Sequence, residues 1–349
     1  MKKGSLLLLL SISVLLLLPG CQPSENAEAV VLTVMTHDSF EISSEVVEKF
    51  EQEYGVQVRF FKAGDTGSAL NKAILAGDNP LGDIFYGVDN TFLSRALQEQ
   101  IFESYTSPAL AEVDPAFILD PQHRAVPIDY ADVCINYDRS YFETNNLAPP
   151  NTLEDLLDPA YAGLLVVENP ALSSPGLAFL LTTIGHFGDP GYLDYWQGLV
   201  ENGVLVVNDW ETAYYSEFSL WDGQHPLVVS YSSSPPFEFI YAESPLEEPP
   251  SASVAGPETC FRQIEFAGIL QGTSNRDLAE KWIDFMLSPD FQGDMPLNMA
   301  VFPVRSNVPL HEAFEQYMQT ADPLAEVEIE SIAANRENWI QQWAETVLR

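Results

Sequence analysis

The chain has 349 residues, 46% of them apolar and 19% charged, a globular composition with room for two ordinary domains. Its 15 Lys and Arg stand against 51 Asp and Glu, a formal net charge of −36. That balance excludes a general nucleic-acid binder and argues against an anionic membrane surface as partner; beyond a solvated acidic coat, it favours cationic or neutral ligands.

Lys2 and Lys3 precede an apolar run over 6–18 that is broken only by Ser11 and Ser13. The run is too short for a bilayer, which takes about 20 residues, and reads as a secretory signal peptide over 1–20. Leu18-Pro19-Gly20-Cys21 resembles a bacterial lipobox, with Pro19 an unusual occupant, and makes Cys21 the first mature residue and the lipidation site. Residues 21–29 form a polar tether. No later stretch suits a membrane span, so the expected location is extracytoplasmic, held to the cell membrane by lipid alone. Loss of 1–20 removes two lysines and no acids, leaving 13 − 51 = −38.

The mature chain then alternates strands and helices, the pattern of an α/β fold. A strand is expected at 30–35, a helix at 44–54 with Val46, Val47, Phe50 and Tyr54 on one face, a strand at 56–61, a helix at 68–75 and a strand at 83–86. Sheets of this kind bind ligands at strand carboxyl ends and helix N-termini, where His37-Asp38, Asp65-Thr66 and Asp89-Asn90 fall. The extended run 125–137 passes to a second unit with strands at 164–168, 204–208 and 227–231 and an apolar helix at 177–184. Residues 243–258 are Pro- and Ser-rich and read as a surface loop. A strand at 263–270 returns to the first unit. A helix at 277–287 shows Ala279, Trp282, Ile283 and Met286 on one face, and 329–348 closes the chain in one or two helices.

Cys134 and Cys260 remain for an oxidising compartment, where two thiols usually pair; two separate buried thiols are the alternative. If the crossings near 127–133 and 260–266 run side by side, the two Cα atoms fall within about 4.4–6.8 Å. An arrangement with all strands in one continuous sheet would contradict the two-lobe expectation.

No nucleophile elbow, phosphate loop or dinucleotide motif is present, and the histidines lack zinc spacing, so no metal, cofactor or catalytic residue is expected. The strand-end loops are more informative. Asp65-Thr66-Gly67-Ser68 opens a helix, with Ser68 as N-cap the bland reading. Ser173-Ser174-Pro175-Gly176 opens another. Trp210 stands past a strand beside Asp209 and Glu211, a ligand wall or a core side chain. Tyr231-Ser232-Ser233-Ser234 ends a strand in four hydroxyls, which packing alone does not explain.

The lipobox, the two lobes, Val126-Pro127-Ile128-Asp129-Tyr130 and Trp282-Ile283-Asp284-Phe285-Met286-Leu287-Ser288-Pro289 resemble the solute-binding proteins of ABC importers. Within these the chain is similar to the thiamine-binding proteins, through Asp38-Ser39-Phe40, Gly87-Val88-Asp89-Asn90, Ser173-Ser174-Pro175-Gly176-Leu177, Trp210-Glu211-Thr212-Ala213-Tyr214 and Ser230-Tyr231-Ser232-Ser233-Ser234-Pro235. The resemblance implies the two-lobed type II, or Venus-flytrap, architecture with parallel and mixed sheets and a hinge of crossing strands. The first lobe would hold 30–128 and 265–349, the second 129–264. It also implies a monomer, not an enzyme, that delivers thiamine or a thiamine phosphate to permease and ATPase subunits. Asp65, Thr66, Ser173, Ser174, Trp210, Tyr231, Ser232, Ser233 and Ser234 match ligand-contacting positions, with His37, Asp38, Asp89, Asp132 and Phe237 in a second rank. Asp65 and the faces of Trp210 and Tyr231 suit a thiazolium cation, a cation–π contact being worth about 0.5–2 kcal/mol. The chain departs from the family at His37 and Phe237, where tyrosines occur, and at Ala300, where an aromatic occurs. A polyamine site from Asp38, Asp65, Asp89 and Asp132, a ferric site using Tyr130 with Tyr231, and an enzyme on the same fold are the other readings.

Overall fold

The computed structural model describes residues 30–349; the expected signal peptide, tether and lipidation site at Cys21 lie outside the described residues. β1 (Val31–Thr36), α1 (Ser44–Tyr54), β2 (Gln57–Lys62), α2 (Thr66–Ala76) and β3 (Ile84–Asp89) make a parallel β2–β1–β3 unit with crossover helices. α3 (Leu93–Gln98) and β4 (Phe102–Glu103) follow, and β5 (Val126–Asp138) leads away from the unit. The second half contains α4 (Arg139–Thr144), β6 (Leu165–Glu168), α5 (Ser174–Phe187), α6 (Gly191–Glu201), β7 (Leu205–Val207), β8 (Leu227–Tyr231), α7 (Ser234–Ile240) and β9 (Ser251–Ser253). β10 (Phe261–Leu270) returns to the first half. α8 (Arg276–Met286), α9 (Pro289–Met299), β11 (Phe302–Pro303), α10 (Glu312–Tyr317) and α11 (Ile329–Val347) complete the chain.

The two crossing strands lie side by side and antiparallel, Phe261 opposite Val133 and Ala267 opposite Val126. β10 also pairs with β3, and β5 with β8, so hydrogen bonding runs unbroken through the order β2-β1-β3-β10-β5-β8-β6-β7. This corrects the expectation that the strands would not share one sheet. The crossings are long enough to pair with each other and with a strand of each half.

What divides the molecule is packing. On one face, Phe50, Tyr86, Trp282 and Met286 form a core in the first half, with Phe50 and Trp282 edge to face at 4.8 Å. On that face the second half has its own cluster of Val166, Ala213, Tyr214, Phe218 and Val228. A third cluster is continuous across both halves, from Phe85 and Phe92 to Leu177, Trp196 and Trp343. Fully burying each such side chain contributes about 1.5–3 kcal/mol.

Three local expectations change. Asp65, not Ser68, caps α2, its carboxylate accepting from the Thr66 amide at 2.7 Å. The loop expected at 243–258 hides β9, which pairs with residues 136–138 of β5. The segment 312–347 was expected in the first lobe, but its helices pack on the second half. Trp343 meets Trp196 of α6 edge to face at 5.5 Å, and Tyr317 meets Phe239 of α7 at 4.6 Å. α11 also touches α3, with the Arg336 guanidinium 4.2 Å over the Phe92 ring, and so straddles both halves. The apolar stripe Ile332, Trp339, Ile340 and Trp343 decides this, because α6 leaves Trp196 to be covered. Cys134 of β5 and Cys260 beside β10 form a disulfide, with their Cα atoms 4.4 Å apart.

Candidate functional site

One cavity of about 270 Å³ opens between the two halves, small against the ~300–1,000 Å³ of typical small-molecule sites. Met299 and Val301 from the first-half core and Trp210 and Tyr214 from the second-half core reach it, so it lies where the two cores part. His37 and Ser39 enter from the end of β1, Asp65 and Thr66 from the head of α2, and Ser174 and Pro175 from the head of α5. Tyr231, Ser234 and Phe237 come from the β8–α7 junction.

The halves also touch beside the cavity. The Gly67 amide donates to the Leu172 carbonyl at 2.8 Å, and the Trp210 amide donates to Asp65 Oδ2 at 3.2 Å. Only glycine fits at 67: a Cβ there would lie 2.7 Å from the Leu172 oxygen. Asp65 therefore caps its own helix with one oxygen and holds the opposite half with the other. Burial raises its pKa above the ordinary carboxylate value, against the pull of Ser173, the two amides and His37.

An aromatic wall comes from the second half. The Trp210 indole stacks on Tyr214 at 4.9 Å and 16°, stands edge-on to Tyr231 at 6.0 Å, and donates from Nε1 to Ser230 Oγ at 3.0 Å. The Tyr214 hydroxyl donates to the buried Glu238, which fixes the ring. Tyr215 and Glu211 complete that side.

The floor is acidic. Glu265 of β10 lines the cavity, and Asp129 lies directly opposite it on β5. The Tyr86 hydroxyl is 2.7 Å from Asp129 Oδ2 and 2.9 Å from Glu265 Oε2. One phenolic hydrogen cannot serve two carboxylates, so one carboxyl is protonated. Burial, reinforced by the Glu265 charge, holds Asp129 well above the ordinary range. Burial would raise Glu265 too, but the nearby His37 charge and the hydrogen bond from the Tyr86 hydroxyl hold it below its ordinary value. Of the two, Asp129 is the carboxyl pushed up and Glu265 the one held down.

The other residues singled out in the sequence divide. Ser173, Ser232 and Ser233 are buried behind the wall and do not line it. Asp38 accepts from the Gly64 amide at 2.8 Å, and Asp89 accepts from the Phe92 amide at 3.1 Å and the Thr91 hydroxyl at 2.8 Å. Asp132 is paired with Arg262 at 2.7 and 3.0 Å and accepts from Thr320 at 2.9 Å. The four carboxylates of the polyamine reading thus do not converge; three are committed to local structure. Tyr130 stacks on Phe117 at 4.9 Å, lies under Arg262 and is not part of the wall, so it makes no ferric pair with Tyr231. Among the described residues no cluster of three His, Cys, Asp or Glu could hold a metal. Sequence reasoning missed Glu265, Glu211, Tyr214 and Tyr215. A single acid in the apolar strand Phe261–Leu270 was the available signal for Glu265.

Residues 79–333 match the family described as bacterial extracellular solute-binding protein. A thiamine-binding periplasmic protein of Salmonella typhimurium is 30% identical over 324 residues, 91% of this chain and 94% of the relative. A protein of the same name from Brucella suis is 28% identical over 93% of this chain and 94% of its own length. A solved structure titled periplasmic thiamin binding protein superposes with a TM-score of 0.81 at 28% identity, covering 95% of this chain and 100% of that one.

Proposed function

The chain belongs to the bacterial extracellular solute-binding protein family, and from that premise we propose that it captures thiamine or a thiamine phosphate between its two halves and hands it to an ABC permease. The observation that carries the reading is one cavity that joins an aromatic wall, Trp210 with Tyr214 and Tyr231, to an ionised carboxylate, Glu265. A permanently charged thiazolium needs both kinds of compensation when it leaves water. Asp65 adds negative charge at the mouth. Thr66, Ser174 and Ser234 offer hydroxyls to the hydroxyethyl end, with Ser173, Ser232 and Ser233 supporting them from behind. Ala300 on the wall leaves room where members of the resembling family can have an aromatic ring. In this reading the protein is a carrier, not an enzyme, works as a monomer without cofactor, and is tethered outside the cell through a lipid on Cys21.

A thermal-shift panel of thiamine, its mono- and pyrophosphate, spermidine and Fe(III) tests the reading. Thiamine at 100 times its dissociation constant adds about 2.7 kcal/mol of stability. A shift with spermidine or iron and none with any thiamine compound would reject it.

Two further outcomes follow at this site. Gly67→Ala forces its new methyl against the Leu172 and Ala171 carbonyls. Overpacking of this kind costs about 1–3 kcal/mol. It falls on the contact between the halves, so calorimetry should show thiamine binding weakened roughly fivefold or more, with the denaturation midpoint much less affected. Asp132→Asn, by contrast, breaks a pair with Arg262 outside the cavity. Its thiamine affinity should stay within about 0.5 kcal/mol of the parent. A large loss there would return Asp132 to the site.

A further inference from the structure

His37 is the one basic side chain on the cavity wall among the described residues. Its Nε2 lies 3.6 Å from Glu265 Oε1, and only 8% of the residue is exposed. The ring is fitted into place. It packs on Tyr86 at 5.6 Å, and a Cβ on Gly87 would stand 2.4 Å from its Cδ2. Gly87 has φ +104°, so the backbone there also requires glycine. A buried imidazole is thus held against Glu265, the carboxylate of the cavity floor, where a ligand cation would find its countercharge.

We propose that the His37 imidazolium holds the place of the ligand's cation beside Glu265, and that an entering cation takes over this pairing and expels the His37 proton. The inference rests on the cationic-ligand reading above. Around the imidazole lie Glu265 on β10, Tyr86 on β3 with Asp129 behind it, Asp65 at the head of α2 and Asp38 in its own loop, while Glu41 of that loop and Tyr231 of β8 share the cavity lining. Burial alone would lower its pKa. Glu265, and further off Asp65 and Asp38, more than reverse this and raise it above the ordinary value. A cation bound at Glu265 cancels that support and adds repulsion, so the imidazole becomes neutral. Protein and ligand together then give up one proton per capture, and cation affinity climbs with pH while His37 is ionised in the free protein.

Calorimetry of thiamine binding in buffers of different ionisation enthalpy, at about pH 6, 7 and 9, reads the proton directly. The wild type should release up to one proton at the lower pH values and fewer at the highest, with affinity rising by up to roughly tenfold per pH unit below the His37 pKa. His37→Gln should bind thiamine with that release removed and the pH dependence flattened. Asp89, whose carboxyl burial pushes up to about 7, also lies near this floor. Any protons it releases would persist in His37→Gln, so the difference between the two proteins belongs to His37. If the variant does not fold, NMR of the His37 ring in the wild type reads the same event, with an ionised imidazole turning neutral when thiamine is added. Thiamine binding without proton release, equal release by His37→Gln, or an imidazole that keeps its charge would overturn this inference alone. No thiamine binding at any pH would overturn the reading it rests on, and this inference with it.

Discussion

Trp210→Ala should weaken thiamine binding by about 2–4 kcal/mol, roughly 30- to 900-fold, the range of an aromatic hot spot in a buried site. Trp210 does several things at once. Its face lines the cavity, its ring stacks on Tyr214, and its Nε1 donates to Ser230 on β8. Its backbone amide also reaches Asp65 across the cleft, but that contact survives the substitution. The loss should therefore be in affinity, not in the meeting of the halves. Glu312→Ala, at an exposed position of α10 outside the cavity lining, is the control and should shift affinity by less than about 0.5 kcal/mol. Calorimetry on both variants decides. Equal affinities for Trp210→Ala and the parent would remove the indole from the site.

Replacing Cys134 and Cys260 together by alanine should lower the unfolding free energy by up to about 4–5 kcal/mol on the chain-entropy account. The bridge spans 126 residues of sequence, nearly all of the second half. It ties the two crossing strands together where their mutual pairing ends, beside the Val133–Phe261 pair. Without it, the unfolded chain gains the freedom of a long open loop. The cavity lining contains neither cysteine, so thiamine affinity should change little. Denaturant titration of the oxidised protein, the reduced protein and the double variant measures the effect. Coincident transitions would show that the bridge does not support the fold, and two reactive thiols in the unreduced, denatured protein would show that it does not form.

The alternating elements were legible because period and punctuation agree. The stripes Val46-Phe50 and Trp282-Met286 appear on α1 and α8 as read, and the crossing runs were visible as long extended apolar stretches. The single continuous sheet was not legible, since pairing between β5 and β10 is a matter of register between residues far apart in sequence. The same holds for α11, whose apolar stripe fits either half until Trp196 is seen to need cover. At the site, strand ends and helix heads gave Asp65, Thr66, Ser174, Trp210 and Tyr231. Sequence could not distinguish a serine on the wall from one behind it, which is why Ser173, Ser232 and Ser233 were grouped with Ser174 and Ser234. Nor could it foresee that Asp132 already has an arginine. Glu265 was missed because its meaning depends on what faces it: His37, Tyr86 and Asp129 come from three other strands or strand ends.

A cleft built this way should take a thiamine-like cation. Titration calorimetry of the mature wild-type protein with thiamine tests it most directly. Binding should saturate at one site per chain and weaken severalfold or more when Glu265 is replaced by glutamine, since about 1.4 kcal/mol of lost charge attraction is already tenfold. No heat and no saturation with thiamine or either of its phosphates would contradict it.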